Sequence, residues 1–402
     1  MAADPLERYL RRFAEPETAL TTEVADAFSA ADAFSAALVI PAFRESPEFV
    51  DRLFTELADE PPFLLVLVIN QPDHLPDDAD TAALWTALGG GEHPWHYRRE
   101  GVHGLLLVDR FRAGRRIPKR QGVGLARKIG ADIALALIAE RRIERPWIWN
   151  SDADTRLPRG YFAALEGTPV ARLGLAPDGP VAACLYPFRH RIGNDTLGVA
   201  TAFYEASIRH YAAGLHWAGS PYALTTLGST LVVAADAYAR VRGFPRRNGA
   251  EDFYLIDKLA KLGAIHELPE PELEIAARVS DRVPFGTGPA VARILAAGEP
   301  EQQLLFRNPA AFAELRRWLA LFPALADREL ADTDLAPETR AALEKQGVAK
   351  ALAHAREQAR DGTGFARHLH TWFDGLHTLR LLNALRARWP DVDAETAAAG
   401  PF

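Results

Sequence analysis

The chain has one cysteine, Cys184. An intramolecular disulfide is therefore impossible, and a cysteine cage around a metal is not expected. Cys184 sits in the apolar run VAACLYPF, which predicts a buried and inert thiol. Long apolar runs are also missing. The longest, such as Leu64–Ile69, have strand length, and none reaches the length that spans a membrane. The N-terminal MAADPLERYLRRFAEPE lacks the apolar core of a signal peptide. These features lead to the expectation of a cytoplasmic protein, with peripheral membrane contact left open. Long basic runs are missing too, and the formal net charge is -7. A nucleic-acid partner is therefore not expected.

What is present suits a soluble globular chain: 402 residues, 48% hydrophobic and 25% charged. That length allows one large domain with additions, or two domains. Residues 4–35 show helical spacing with a break at Pro16. Ala36–Pro41 reads as a first buried strand, and Ser46-Pro47 as the entry to a helix. Leu64–Asn70 reads as a second strand, so the pair with its helix predicts a right-handed parallel βαβ unit. Residues 78–100 read as a short helix and a glycine loop, and Leu105–Val108 as a further strand. From Gly122 the apolar residues Leu125, Ile129, Ile133 and Leu137 fall at helical spacing. Val181–Phe188 reads as one strand, Thr196–Ala213 as a helix, and Gly228–Pro245 as a strand running into a helix. One or two last strands are expected in AIHELPEPELEIAARVS. From residue 287 the pattern is helical to the end.

The stretch that draws these elements together is PWIWNSDADTRLP, Pro146–Pro158. Trp147–Trp149 favour a strand. Asp152 and Asp154 follow with one residue between them. In an extended segment, residues i and i+2 point the same way. Both carboxylates would then meet at the carboxyl end of a strand, where open α/β sheets bind ligands. A hard divalent cation that also takes phosphate oxygens fits two such groups, so Mg²⁺ or Mn²⁺ is expected on a diphosphate. A solvated Asp-rich turn is the plainer alternative.

Two further motifs carry candidate chemistry. Gly122-Val123-Gly124 is not the dinucleotide fingerprint. No strand leads directly into it, and Arg127 stands where the third glycine belongs. It reads as a helix entry whose amides, with Arg127 or Lys128, face an anion, or else as a flexible loop before a solvated helix. Glu251-Asp252 stands at a helix start. The pair is either a favourable charge at the helix dipole or a general base beside an acceptor hydroxyl. In the C-terminal region, His368, His370 and His377 read as a solvated face, with His370 and His377 on one helix side. Trp318 and Trp372 read as packing residues.

In order, VIPAFRE (Val39–Glu45), GVGLARKIGADIAL (Gly122–Leu135), DAD (Asp152–Asp154) and GFPRRNGAEDFYL (Gly243–Leu255) resemble family 2-like glycosyltransferases of the GT-A fold. The resemblance covers roughly residues 36–285. It implies an α/β fold with a mixed, mainly parallel sheet flanked by helices, spanning 36–286, between the N-terminal segment 1–35 and a helical C-terminal region, 287–402. It implies a nucleotide-sugar donor and an acceptor that is a saccharide, lipid or small molecule. Residue by residue, it implies that Pro41, Ala42, Glu45, Arg127 and Asp152 contact the donor. Asp152 and Asp154 would hold the metal, and Asp252 would be the base with Glu251 beside it. The family often has an acidic residue just after the second strand; here that place reads Asn70-Gln71-Pro72-Asp73, with Asp73 as the substitute. His266 and Asp281 are candidates for a third metal ligand. Arg278 and Arg282, near the turn at Phe285-Gly286, are candidates for phosphate contact. The expected reaction is inverting sugar transfer. The rivals are a nucleotidyltransferase that makes a nucleotide sugar, and a nucleotide-sugar-binding protein without turnover.

Overall fold

The computed structural model describes residues 4–28, 33–225, 227–279, 286–300 and 303–402. Asp281, Arg282 and Phe285 lie outside them. The chain is α/β, 47% helical, with a large mixed sheet flanked by helices. It divides into two compact units. The first comprises Met1–Arg172, Asp178–Arg191 and Thr226–Pro289; the second comprises Leu173–Pro177, Ile192–Thr225 and Ala290–Phe402.

The strands are β1 (Ala36–Ala42), β2 (Phe63–Asn70), β3 (Trp95–Glu100), β4 (His103–Arg110), β5 (Trp147–Asn150), β6 (Thr155–Arg156), β7 (Ala171–Leu173), β8 (Val181–Leu185), β9 (Phe188–Arg191), β10 (Leu231–Ala234), β11 (Ala264–Glu267) and β12 (Leu273–Ala276). Nine form one sheet in the order β3-β4-β2-β1-β5-β10-β8-β11-β7, and β6-β12-β9 form a second. Strands β4, β2, β1 and β5 run parallel. Strand β3 closes the edge antiparallel, and β10 runs antiparallel between β5 and β8.

The parallel strands form where the sequence carries unbroken apolar runs, as expected for strands covered on both faces. Every residue of β2 is buried. The helix Gly122–Ala139 lies close on this layer. A Cβ at Gly130 would stand 2.5 Å from Val39 Cγ1, so only glycine permits the approach. Strand β3 escapes the sequence reading because WHYRRE is the polar, partly exposed pattern of an edge strand. Val181–Phe188 is not one strand. It breaks at Tyr186-Pro187, and Phe188 starts β9 in the small sheet. Proline lacks the N–H that a central ladder requires.

The N-terminal segment is part of the first unit. Its helix Pro5–Arg12 sends Tyr9 into a buried polar cluster. Asp132 accepts from Tyr9 OH at 2.6 Å, Tyr238 OH at 2.8 Å, the Glu15 backbone N–H at 2.8 Å and Lys128 Nζ at 2.6 Å. Glu15 in turn pairs with Arg246 at 2.7 Å. Buried charges persist only when paired in this way.

The second unit is helical. Its core gathers Phe312, Trp318, Phe322, Leu343, Phe365 and Phe373. The helix Thr196–Trp217 contributes Leu215 to it, and Gly214 leaves room for the Phe312 ring. That helix falls in the second unit, although the family resemblance would draw it into the transferase domain. Trp318 and Trp372 pack there as expected. His370 and His377 do not share a helix. His370 lies in the last turn of the helix Gly362–Trp372, and His377 lies in the next, Gly375–Ala384, where it pairs with Asp374 at 2.8 Å. Among the described residues no helix is long and apolar enough to cross a membrane.

Candidate functional site

The carboxyl ends of β1 and β5 and the start of the helix Glu251–Leu262 converge in the first unit. Strand β5 stops at Asn150, and the Ser151 N–H makes the last ladder bond, to Val39 O at 3.0 Å. The chain then turns, with Thr155 N–H donating to Asp152 O at 3.1 Å. It leaves as β6 in the small sheet. Strand alternation predicts one shared extended face for Asp152 and Asp154, and the turn removes it. A turn between two sheets presents them instead. Arg52 holds that turn by donating to Ala153 O at 2.7 Å and Thr155 O at 3.3 Å. Arg52 has no sequence signal. It is one arginine on a helix, and only the fold brings it to residues a hundred positions away.

Arg127 is the centre of the site and is 2% exposed. Its Nη2 donates to Asp152 Oδ1 at 2.7 Å, its Nη1 to Ser151 O at 3.1 Å and its Nε to Glu251 Oε1 at 3.0 Å. Burial works against its charge, yet Asp152 and Glu251 hold it firmly protonated. The expectation that Arg127 or Lys128 faces a solvent anion is corrected here. Both are turned inward, Arg127 onto these carboxylates and Lys128 onto Asp132.

The same correction applies to the glycines. The helix entry at Gly122–Gly124 faces the loop before Glu251, not an anion. Gly124 N–H donates to Arg247 O at 2.9 Å. A Cβ on Gly124 would stand 2.5 Å from Pro245 O and 2.6 Å from Arg247 O. Gly124→Ala should therefore push that loop outward. The expected cost is about 1–3 kcal/mol, as for other overpacked sites. Urea denaturation checks it: an unchanged midpoint would mean that the loop is not held by this contact.

The loop ends with Gly249 at φ 107° and Ala250 at φ 56°. A left-handed alanine is uncommon, and such strain gathers at functional sites. It delivers Glu251 and Asp252 as the first two residues of the helix. Glu251 is buried on Arg127, whereas Asp252 is half-buried. Burial, and then the neighbouring Glu251 carboxylate, push the Asp252 carboxyl up to about 7.

On the other side of Asp152, Asp154 Oδ2 meets Arg278 Nε at 2.8 Å. Arg278 Nη1 also reaches Glu45 Oε1 at 3.1 Å. Burial pushes the Asp154 carboxyl up to about 6 despite the pull of Arg278. The fold thus sets two ion-paired groups side by side on the aspartate turn: Asp152 and Glu251, with Asp252 next to it, on Arg127, and Asp154 and Glu45 on Arg278. Arg278 meets carboxylates, where the sequence suggested phosphate. Pro41 and Ala42 end β1 beside them. Asp73 belongs to the loop after β2. There it accepts from the Lys119 N–H at 2.9 Å, and its own N–H donates to Ile117 O at 2.8 Å. It also meets His74 Nδ1 at 3.8 Å, and none of these contacts joins it to Arg127, Asp152 or Asp154.

His266 lies in β11 opposite Cys184 of β8, and β10 and β8 stand between it and β5. It does not join the aspartates. Burial pushes the Cys184 thiol up to about 12, which keeps it inert as expected. Among the described residues no three His, Cys, Asp or Glu groups are assembled as a metal cage. The carboxylates present suit a different kind of site. Asp152 has one oxygen on Arg127 and is 34% exposed, so it has capacity to spare. An ion such as Mg²⁺ needs only one or two carboxylates when it keeps waters and takes substrate phosphates. Asp152 and Asp154 fit that demand.

Comparison of the chain with protein-family models and with curated proteins finds no significant match in either.

Proposed function

We propose that the first unit is a GT-A glycosyltransferase domain. It would move a sugar from a nucleotide-diphosphate sugar to an acceptor hydroxyl, with inversion, and would work in the cytoplasm. One observation carries the reading. A buried arginine ties an aspartate at the end of a parallel strand to the first residue of a helix. The second residue of that helix is a carboxylate whose affinity for protons lies near neutrality. A base with its pKa close to working pH is the most effective kind.

The geometry supports the following roles. Pro41 and Ala42 at the end of β1, with Glu45 beyond it, border the donor. Asp152 and Asp154 would hold Mg²⁺ or Mn²⁺ against the donor diphosphate. That ion supplies charge neutralisation for the departing nucleoside diphosphate. Glu251, fixed by Arg127, holds its neighbour in place. Asp252 accepts the acceptor's hydroxyl proton as the oxygen attacks the anomeric carbon.

A thermal-shift panel tests the reading. Ligand binding to the folded state raises the melting temperature by mass action. At least one nucleoside diphosphate with Mn²⁺ should do so, and Asp154→Asn should weaken that rise while leaving the unliganded melting temperature nearly unchanged. Release of nucleoside diphosphate from a nucleotide sugar marks a transferase, whereas pyrophosphate from a nucleoside triphosphate would mark a nucleotidyltransferase. Binding with no turnover on any acceptor would leave only a nucleotide-sugar-binding role.

A further inference from the structure

Arg278 is placed with more care than a surface arginine. It stands two residues past β12. That strand is bonded to the aspartate turn, because Ala276 N–H donates to Asp154 O at 3.0 Å and Ile275 pairs with Thr155 of β6. The backbone register therefore fixes where the guanidinium arrives. It reaches Asp154 Oδ2 at 2.8 Å and both oxygens of Glu45, at 3.1 and 3.3 Å. Asp154 comes from the turn after β5 and Glu45 from the loop after β1. Their side chains are 16% and 15% exposed, and that of Arg278 is 34% exposed. The arginine thus caps two sheltered carboxylates from the solvent side.

We propose that Arg278, held on Asp154 and Glu45, is a tethered counter-cation that keeps the Asp152–Asp154 turn from taking up a divalent ion until a diphosphate arrives. The inference rests on the metal reading given above. The physical ground is charge. Without an occupant, two sheltered carboxylates close together repel each other, and a fixed guanidinium satisfies them. A divalent ion at Asp154 would sit within several ångströms of that guanidinium. The fixed positive charge then repels the ion over that short distance, so a free ion binds poorly. A diphosphate changes the sign of the balance. Its negative oxygens attract both the ion and the arginine, and the planar fork of arginine suits phosphate as well as carboxylate. Arg278 would then favour loading of the ion together with the diphosphate over loading of either alone.

The test compares the full chain with Arg278→Gln and Arg278→Lys. Loss of the free Mn²⁺ signal in electron paramagnetic resonance measures binding without any turnover. Arg278→Gln should bind Mn²⁺ alone about tenfold more tightly than the parent, or better, because the repulsion is gone. Arg278→Lys, which keeps the charge, should stay near the parent. With UDP as the probe diphosphate the order should invert, and Arg278→Gln should hold the Mn²⁺–UDP pair more weakly than the parent. If the parent binds Mn²⁺ and Arg278→Gln binds it no more tightly, the proposal is overturned while the metal reading survives. If neither protein binds Mn²⁺ with or without UDP, both fall. A circular dichroism melt of each variant, expected close to the parent, ensures that a fold defect is not mistaken for either result.

Discussion

Asp252→Asn should lower turnover by about a hundredfold to ten-thousandfold, the usual weight of general-base help. Donor binding should stay near the parent value, because the proposed donor contacts lie on β1 and the aspartate turn rather than on Asp252. The pH profile gives a second reading of the same variant. In the parent, kcat/KM should climb with pH and level off above about 7, where the Asp252 carboxyl has lost its proton. Asp252→Asn should lose that rising limb.

Stability should move the opposite way. The Asp252 pKa is raised in the folded state, from 3.8 to about 7, so folding favours the protonated form. The stability this contributes is complete below the ordinary carboxylate range and is lost as pH rises through about 7. Asp252→Asn removes that loss, so above neutrality the variant should melt no lower than the parent. Helix capping predicts another pattern, a loss of about 1 kcal/mol and unchanged turnover. A variant that melts lower and turns over at the parent rate would remove Asp252 from the mechanism.

The largest effect on stability is expected at Arg127. Arg127→Ala leaves Glu251 buried with no counter-charge and takes a bond from Asp152. Breaking a buried pair on one side costs about 3–5 kcal/mol. That is a large part of the stability of an ordinary domain. Arg127→Met combined with Glu251→Gln removes the lone charge along with its partner, so it should regain much of the loss. It should not regain activity, because nothing then fixes the start of the helix beside Asp252. Urea denaturation and turnover on the single and double variants separate the two effects. A double variant no more stable than Arg127→Ala would show that the cost is not that of an unpaired carboxylate.

The contrast between these two residues shows how far the sequence could be read. Strands β1, β2 and β5 were legible because strands buried on both faces are written as continuous apolar runs. Asp152 and Glu251-Asp252 were legible as carboxylates at element ends. The direction of Arg127 was not. A basic residue in the first turns of a helix looks the same whether it meets an anion from solvent or a carboxylate from the chain. Its partners here lie 25 and 124 positions away. The i, i+2 argument for Asp152 and Asp154 failed for a related reason. It assumed that β5 continued, whereas the chain turns to enter a second sheet. Arg52 and the cap of Arg278 on Glu45 depend on which loops the fold brings together, and no local pattern encodes that.

The cluster around Asp132 also bears on the order of assembly. Tyr9 finds its partner 123 positions later, and Glu15 meets Arg246 across 231. Such closures cost chain entropy before any contact offsets it, and long-range contacts slow folding. During synthesis the N-terminal helix is made before Lys128, Asp132, Tyr238 and Arg246, the groups on which its end of the chain closes. On its own, an eight-residue helix is too short to be stable. The helix Pro5–Arg12 is therefore expected to settle only after the partners that hold it. It closes over a buried lysine–aspartate pair only once the loop before Glu251 is in place. Until then that lysine–aspartate pair stays open to water.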